Sequence, residues 1–282
     1  MRVLVAEHHG MCFGVRDAIA LARSLPTPDT VTVYGELVHN EQVNASLAAR
    51  GLAISSEAGR TIPDTPAVLV TAHGISDLER GRLLASGKRI VDATCPLVRR
   101  VHLIAHRLRD QGWFVVVLGQ AGHVEVRGIV EDLWRWAVVG SIDDARRWDA
   151  DRIAVICQTT TPPEQAELLG AAVARANPHA EIRFVDTICA PTRERQQALR
   201  SLLGVVDALV VVVGRHSNNT RKLAATAAAR GIPCTHVQTA AELDARWCAQ
   251  FGTVGLTAGT STPDETIRAV HERLIRIGQE VA

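Results

Sequence analysis

The sequence lacks the features that mark membrane, secreted and nucleotide-binding proteins. It has no run of about 18 apolar residues. The N-terminal segment MRVLVAEHHG has no basic stretch followed by a long apolar one, so no secretion signal is predicted. Neither G-x-x-x-x-G-K-S/T nor G-x-G-x-x-G follows a strand-like run. That absence argues against a bound nucleoside triphosphate or nicotinamide cofactor.

An excess of charge of either sign is also missing. Lys and Arg number 31 against 30 Asp and Glu, which leaves a net charge of +1. A nearly neutral chain has no overall field that would attract nucleic acid or a membrane surface. We therefore expect a cytoplasmic protein that binds neither, and any anionic ligand must be held by local groups.

The chain length and the cysteine content indicate how many compact units the protein has and which residues carry chemistry. A chain of 282 residues that is 47% hydrophobic can form two or three compact units with substantial cores. Its six cysteines could pair in an oxidising compartment, but cytosolic cysteines are more often metal ligands or catalytic groups. We therefore expect some of the cysteines to carry chemistry.

Short apolar runs typical of strands alternate along the chain with amphipathic stretches typical of helices. The helical stretches begin with Val15–Ser24 and end with Glu265–Gly278. This alternation predicts an α/β protein with parallel sheets. The predicted strands are Val3–Val5, Thr30–Tyr34, Ala67–Thr71, Arg89–Val91, Trp113–Leu118, Ile153–Ile156, Ile182–Val185, Ala208–Val213 and Thr253–Leu256.

An internal repeat divides the chain into thirds. The segment VDATCPLV, which contains Cys95, is echoed by VDTICAPT, which contains Cys189. A third cysteine, Cys12 in HHGMCFGV, also follows a predicted strand and precedes a predicted helix. The repeat predicts three α/β lobes, 1–95, 96–188 and 189–282, related by a pseudo-threefold axis.

Each third of the chain contains two further loops that recur in the same order after its cysteine loop. His39, His123 and the pair His216-Ser217 each lie 27 or 28 residues after a repeated cysteine. Because ligands of open α/β sheets bind at the carboxyl ends of strands, all these loops are candidate binding loops. The last set of loops, which directly follow apolar strands, contains His73, Thr159 and Ser261.

The three repeated cysteines are candidate ligands of an iron–sulfur cluster. Thiolates are the ligands that such clusters prefer, and a [4Fe-4S] cluster with three thiolates keeps one iron open to a substrate. The spacing of Cys12, Cys95 and Cys189 is unlike the local C-x-x-C runs of ferredoxins, so the prediction depends on their repeated position. The cysteines outside the repeat are expected to be small buried hydrophobic residues: Cys157, Cys234 and Cys248.

The polar residues of the same loops suit a phosphate or diphosphate. His39, His73 and His123 can donate charge-assisted hydrogen bonds to an anion. The alternative is that each histidine satisfies an ordinary core or capping hydrogen bond. Neutral donors in these loops are Ser217, Asn219, Thr192 and Ser261. Four other histidines lack such placement and are expected to be structural or exposed: His8, His9, His102 and His106.

Glu125 is the candidate proton donor. It lies in the middle of the loop GQAGHVEVRG, which belongs to the repeat and also contains the candidate phosphate-binding residue His123. No other carboxylate has such a position in these loops. A carboxyl group beside a cluster and a bound anion is expected to have a raised pKa, which suits proton delivery near neutral pH. Thr159 and Gln158 are candidates to extend a proton relay or to orient the substrate. The alternatives are a solvated surface glutamate and an ordinary helix N-cap in QTTTP.

The sequence resembles the LytB/IspH family over Val3 to about Ile277. The motifs that carry the resemblance are MCFGV, ELVHNEQV, TAHGIS, VDATCPLVRRVH, GQAGHVEV, QTT, ICAPTRERQ, SNNTRKL and TAGTSTPD. The resemblance implies three α/β lobes with parallel sheets around a central [4Fe-4S] cluster held by Cys12, Cys95 and Cys189. It also implies that Glu125 and Thr159 are catalytic. The substrate-binding residues that it implies are His39, His73, His123, Gln158, Thr192, Ser217, Asn218, Asn219 and Ser261.

The reaction implied by the resemblance belongs to the non-mevalonate isoprenoid pathway. It is the two-electron, two-proton reductive dehydroxylation of (E)-4-hydroxy-3-methylbut-2-enyl diphosphate, which gives isopentenyl and dimethylallyl diphosphates and water. The electrons would come from a donor such as ferredoxin or flavodoxin.

At several positions on the edge of the predicted substrate pocket, the residue differs from the one that is usual in the family. The departures are Gln120, Val124, Pro191, His216 and Asn218. They leave open a paralogous [4Fe-4S] reductase that acts on another small anionic substrate, because a fold does not by itself fix a function. The sequence is also compatible with a cluster-bearing redox sensor and with a metal-free α/β binding protein.

Overall fold

A computed structural model describes residues 1–212 and 218–280, and the side chains of 218–222 lie outside the description. The described residues form twelve strands and ten α-helices. The strands are β1 (Arg2–Val5), β2 (Val31–Tyr34), β3 (Ala53–Ile54), β4 (Ala67–Val70), β5 (Arg89–Asp92), β6 (Phe114–Leu118), β7 (Trp136–Val139), β8 (Arg152–Cys157), β9 (Glu181–Phe184), β10 (Ala208–Val212), β11 (Cys234–Val237) and β12 (Thr253–Ala258). The helices are α1 (Phe13–Arg23), α2 (Glu41–Ala48), α3 (Asp77–Ala85), α4 (Pro96–Asp110), α5 (Val124–Val130), α6 (Pro163–Ala176), α7 (Ala190–Leu203), α8 (Asn218–Ala228), α9 (Ala245–Cys248) and α10 (Asp264–Glu280).

The strands form three four-stranded sheets, and every strand pairing is parallel. Their strand orders are β3-β2-β4-β5, β7-β6-β8-β9 and β1-β12-β10-β11. The predicted fold of three α/β lobes with parallel sheets is thereby confirmed. Strand β1 pairs with β12, so the third sheet combines the two ends of the chain.

The continuous apolar runs of the central strands are explained by burial on both faces of each sheet. In β6, Val115 and Val117 pack in a core with α4 and α5, whereas Val116 and Leu118 pack in a second core on the opposite face. Strand β10 alternates in the same way between two cores. Helices therefore cover both faces of these sheets, and the polar loops are confined to the strand ends.

The chain separates into two compact units. The first contains Met1–Arg16, Val38–Ser46 and Arg193–Ala282, and it includes the sheet of β1, β10, β11 and β12. The second contains Asp17–Leu37 and Leu47–Thr192, with the other two sheets. The lobe boundaries 1–95, 96–188 and 189–282 remain a prediction, as does their pseudo-threefold relation.

Three strands were not predicted from the sequence, and all three lie at sheet edges. They are β3, β7 and β11. An edge strand has one neighbour and keeps part of its surface in solvent, so it does not need the long apolar run of a central strand. Strand β3 has only two residues, and Trp136 in β7 is exposed.

Candidate functional site

The candidate site residues of the second unit follow the carboxyl ends of its strands. His73 follows β4, His123 follows β6 and Thr159 follows β8. Cys95 and Cys189 follow β5 and β9. This is the edge at which open α/β sheets bind ligands.

The two repeated cysteines of the second unit, Cys95 and Cys189, are held by the same backbone contact. The N–H of Cys95 donates to the carbonyl of Ala72 at 3.1 Å, and the N–H of Cys189 donates to the carbonyl of Thr159 at 3.1 Å. Each cysteine thus lies beside the loop that follows the neighbouring strand. The repeat seen in the sequence has this hydrogen bond as its structural counterpart.

Each repeated cysteine directly precedes a helix. Helix α1 follows Cys12, α4 follows Cys95 and α7 follows Cys189. All three cysteines are partly exposed, whereas Cys157 and Cys248 are buried. The exposed N–H groups of a helix N-terminus stabilise negative charge, so this position suits a thiolate ligand.

The thiols outside the repeat are in less suitable surroundings. Burial raises the pKa of Cys234 to about 11. Burial also raises the pKa of Cys248, and the nearby Asp244 adds to that shift. A thiol that keeps its proton is a poor iron ligand, because the thiolate is the form that binds metals.

His73 and His123 lie next to each other in the second unit. Their ring centroids are 5.7 Å apart, and the rings are nearly perpendicular. His123 is the N-cap of α5, since its Nδ1 accepts a hydrogen bond of 3.2 Å from the N–H of Glu125. In the neutral ring Nδ1 is then the acceptor, so Nε2 carries the proton and can donate it to an anion.

Glu125 is buried, with 2% of its surface exposed, so its interpretation as a solvated surface residue is wrong. Thr159 holds its carboxylate through two hydrogen bonds. The N–H of Thr159 donates to Oε1 at 2.7 Å, and the Thr159 hydroxyl donates to Oε2 at 2.9 Å. The acid predicted from the GHVE loop therefore meets the threonine predicted from the QTT loop.

Gln158 is completely buried next to this pair. Its Oε1 accepts a hydrogen bond of 3.1 Å from the N–H of Gln120, and its Nε2 has no hydrogen-bond partner among the described residues. A buried amide donor without a protein partner suits a bound ligand. Gly119 makes this position of Gln158 possible, because a Cβ atom at Gly119 would lie 2.8 Å from the Gln158 Cβ.

The helix-cap interpretation of the QTTTP segment is wrong. Helix α6 begins at Pro163, and no side chain caps it. The hydroxyl of Thr161 instead donates to the carbonyl of Leu118 at 3.0 Å, which fixes the loop to the end of β6. Thr262 in the first unit makes the same contact with the carbonyl of Val212 at 2.9 Å.

Thr192 lies beside one of the candidate ligands. Its side chain is buried, and its hydroxyl oxygen is 3.1 Å from the sulfur of Cys189. A hydrogen bond to a ligating sulfur is one of the contacts that tune a cluster. Thr192 therefore suits a role at the thiolate as well as at the substrate.

In the first unit, the candidate residues His39 and Ser261 are in contact. The hydroxyl of Ser261 donates to the carbonyl of His39 at 2.9 Å. Ser217 lies outside the described residues, and Asn218 begins α8 with Asn219 next to it. Because their side chains are not described, the predicted roles of these three residues stay predictions.

Arg195 is a buried residue of the first unit that the sequence reasoning missed. Its guanidinium donates to the carbonyl of Gly10 at 2.6 Å, two residues before Cys12. The signal was present in the sequence, since Arg195 lies on the same face of α7 as the buried Ala198, Leu199 and Leu202. A buried arginine on that face positions the loop that carries Cys12.

The fold and these strand-end groups define an α/β protein that presents cysteines, histidines and a buried acid at the carboxyl edges of three parallel sheets. A family model described as "LytB protein" matches residues 3–275. The chain therefore belongs to the LytB family.

Relatives and solved structures agree with this assignment. The 4-hydroxy-3-methylbut-2-enyl diphosphate reductase of Anaeromyxobacter sp. (strain K) is 35% identical over 276 residues, covering 96% of this chain and 97% of the relative. The enzyme of the same name from Aquifex aeolicus is 31% identical over 283 residues, which is 98% of this chain and 96% of the relative.

Two solved structures share the fold. The E-1-hydroxy-2-methyl-but-2-enyl-4-diphosphate reductase of Plasmodium falciparum superposes with a TM-score of 0.86 at 26% identity, covering 95% of this chain and 86% of that one. A structure of (E)-4-hydroxy-3-methyl-but-2-enyl diphosphate reductase, described as the terminal enzyme of the non-mevalonate pathway, gives 0.69 at 32% identity, with 98% and 100% covered. Among the described residues, we find no helix with the length and apolar composition needed to span a bilayer.

Proposed function

We propose that this chain is a [4Fe-4S]-dependent reductase that converts (E)-4-hydroxy-3-methylbut-2-enyl diphosphate to isopentenyl and dimethylallyl diphosphates, as the names of its relatives indicate. The substrate loses its hydroxyl group as water, and two electrons and two protons are consumed. The observation that carries the proposal is the buried carboxylate of Glu125, held by Thr159 at the strand ends that also bear His123 and Cys189.

The cysteines fit the proposed cofactor. Cys12, Cys95 and Cys189 are partly exposed, and each is placed at the start of a helix. Three thiolates are the donor set of a cluster that keeps one iron without a protein ligand. When bound there, the cluster would supply electrons and an iron site for the substrate.

The adjacent histidines would bind the diphosphate of the substrate. His73 and His123 are neighbours with nearly perpendicular rings, and Nδ1 of His123 is occupied as the acceptor of the helix cap, which leaves Nε2 as the donor atom. Charge-assisted hydrogen bonds to phosphate oxygens are stronger than neutral ones. The remaining proposed substrate-binding residues are His39, Gln158, Thr192, Ser217, Asn218, Asn219 and Ser261.

Glu125 would deliver protons, and Thr159 would hold and orient its carboxyl group. A buried acid whose carboxyl group is oriented by a neighbouring threonine can present its proton in a fixed direction, which water in a solvated site cannot do. The amide Nε2 of Gln158 lies in the same loop as Thr159 and supplies a neutral donor for the substrate.

The reaction needs an external one-electron donor, and a ferredoxin or flavodoxin has the required chemistry. We also propose that the protein works in the cytoplasm, because a cluster held by thiolates needs a reducing compartment.

Anaerobic purification followed by iron and sulfide analysis tests the cofactor, and turnover with dithionite and the isoprenoid diphosphate tests the reaction. We expect about four irons and four sulfides per chain and both diphosphate products. A cluster without turnover would contradict the reductase and favour a redox sensor. A protein without iron or sulfide would contradict both. Turnover only with a different small anion would favour a paralogous reductase.

A further inference from the structure

The start of helix α3 is held by two carboxylates from the segment that directly follows α5. Oδ2 of Asp132 accepts the backbone N–H of Asp77 at 2.8 Å, and Oδ1 accepts the N–H of Leu78 at 3.1 Å. The neighbouring Glu131 accepts a hydrogen bond of 2.7 Å from the hydroxyl of Ser76, which is the N-cap of α3. The end of α5 thus holds the beginning of α3 through side chains of adjacent residues.

A carboxylate at this position stabilises the helix in two ways. The first N–H groups of a helix have no partner within it, and they form the positive end of the helix dipole. Asp132 accepts two of these N–H groups with a side chain that is only 5% exposed. Ser76, which is completely buried, accepts a third from Glu79 at 3.1 Å. Because solvent is largely excluded, these hydrogen bonds are stronger than exposed ones.

Helix α4 holds Asp132 from the other side. Nε2 of His106 lies 3.2 Å from Oδ2 of Asp132, within hydrogen-bond distance, and the guanidinium of Arg109 donates to the Asp132 carbonyl at 3.0 Å. An ionised carboxylate oxygen has two lone pairs, so Oδ2 can accept from both His106 and the backbone N–H at the start of α3. The carboxylate is therefore held in one orientation.

The loop that ends at this N-cap is TAHGIS, which carries His73. After the histidine, Ile75 is buried and its backbone lies against α5, since a Cβ atom at Gly128 would lie 3.5 Å from the Ile75 Cα. Before the histidine, the carbonyl of Ala72 accepts the N–H of Cys95 at 3.1 Å. The loop is thus fixed on both sides of His73.

Helix α5 connects this loop to the second histidine of the candidate diphosphate site. Its N-cap is His123, and its last residues lead into Glu131 and Asp132. Because a hydrogen-bonded helix keeps its two ends at a fixed separation, the contacts at the start of α3 also set the position of the His73 loop relative to His123. The ring centroids of the two histidines are 5.7 Å apart.

We propose that Asp132 is a positioning residue for the diphosphate: by holding the start of α3, it keeps His73 beside His123. The inference rests on the proposed function, and Asp132 acts through His73 rather than on the substrate itself. Ordering a loop during binding costs free energy, so two imidazoles that are already in place bind an anion more tightly than one imidazole and a mobile loop. Loss of the Asp132 carboxylate therefore weakens substrate binding without removing a catalytic group.

The test compares Asp132→Ala with the wild type in anaerobically purified, cluster-loaded protein. The variant should raise KM for the isoprenoid diphosphate about 10- to 100-fold. Inorganic pyrophosphate, used as a competitor and titrated directly by calorimetry, should lose affinity by a similar factor. We expect kcat and the cluster spectrum to stay close to those of the wild type, because binding made equally in the ground and transition states changes KM alone.

Asp244→Ala is the matched control. Asp244 caps α9 in the first unit, where its carboxylate accepts two backbone N–H groups at 2.9 and 3.2 Å, and α9 contains none of the proposed site residues. This variant should lower the Tm and leave KM and pyrophosphate affinity unchanged. Asp132→Asn is the milder variant, since it keeps one accepting oxygen and loses the other. Its KM should lie between those of the wild type and Asp132→Ala.

The outcomes separate the positioning role from the proposed reaction. Wild-type KM and pyrophosphate affinity in Asp132→Asn and Asp132→Ala would overturn the positioning role, as would a fall in kcat with unchanged KM. An equal loss of affinity in Asp244→Ala would also overturn it, because the effect would then be a general loss of stability. A wild type that binds no pyrophosphate has no diphosphate site for Asp132 to position. A wild type that binds pyrophosphate but does not turn over contradicts the reductase alone, and the pyrophosphate titrations of the variants still decide the role of Asp132.

Discussion

Both oxygens of the Glu125 carboxylate are held by Thr159, one by its backbone N–H at 2.7 Å and the other by its hydroxyl at 2.9 Å. The carbonyl of the same threonine accepts a hydrogen bond from the N–H of Cys189 at 3.1 Å. Thr159 thus joins the proposed proton donor to the backbone of a proposed cluster ligand. Its hydroxyl can be removed without disturbing either backbone contact.

Thr159→Val should lower kcat about 10- to 100-fold and change KM little, because a hydrogen bond to a charged group contributes about 1.5–3 kcal/mol. Steady-state turnover measures both constants. Thr161→Val is the matched control, since it removes a buried hydroxyl from the same loop that donates to Leu118 instead. The control should lower the Tm but keep kcat. A wild-type kcat in Thr159→Val would show that the hydroxyl does not orient the acid.

Single replacement of Cys12, Cys95 or Cys189 by Ala should abolish retention of the cluster, because each thiolate holds one iron. Iron and sulfide content and the visible absorption spectrum report the loss. The matched controls should keep the cluster, since they lie outside the repeat and are buried or partly buried: Cys157→Ala, Cys234→Ala and Cys248→Ala. Loss of the chromophore in a control variant would mean that the ligands were assigned wrongly.

His123→Asn separates the two tasks of this histidine. Asparagine is a favourable N-cap and keeps an acceptor for the N–H of Glu125, but it has no Nε2–H to donate to a diphosphate. We expect KM to rise about 10-fold, while the Tm and the cluster spectrum stay close to those of the wild type. His123→Ala, which loses the cap as well, should raise KM and lower the Tm. An unchanged KM in His123→Asn would leave His123 with the capping role alone.

Gly119→Ala should destabilise the protein by about 1–3 kcal/mol. Its new Cβ would lie 2.8 Å from the Gln158 Cβ and 3.1 Å from Val126. Gly81→Ala is the opposite case, because Gly81 lies inside α3 with open space around it. It should stabilise the protein by about 0.5–1 kcal/mol. Denaturant unfolding measures both changes, and equal stability of the two variants would contradict the packing described at Gly119.

The repeat in the sequence predicted where the site residues lie because it reflects one structural position used several times. In both VDATCPLV and VDTICAPT, the backbone N–H of the cysteine donates a hydrogen bond to a carbonyl in the loop that follows the neighbouring strand. Central strands such as β6 and β10 were predictable for a related reason, since burial on both faces requires a continuous apolar run.

Contacts between distant segments were not predictable in the same way. Glu125 and Thr159 were each singled out, but nothing in their separate loops shows that one carboxylate meets both donors of one threonine. His106 was interpreted as structural or exposed, and its contacts with Asp77 and Asp132 were not predictable because those residues lie far from it in the sequence. The edge strands β3 and β7 were missed because one neighbour and partial exposure leave little apolar pattern.

The most direct test of the account is a paired measurement on Glu125→Gln. The substitution keeps the size of the side chain and an oxygen that accepts from Thr159, but it removes the acid. Anaerobic turnover with dithionite and (E)-4-hydroxy-3-methylbut-2-enyl diphosphate is compared with substrate binding, followed by the spectroscopic response of the protein. We predict wild-type formation of both diphosphate products and a variant that binds substrate but turns over about 10²- to 10⁴-fold more slowly. A variant that turns over at the wild-type rate, or a wild-type protein that gives neither product, would contradict the account.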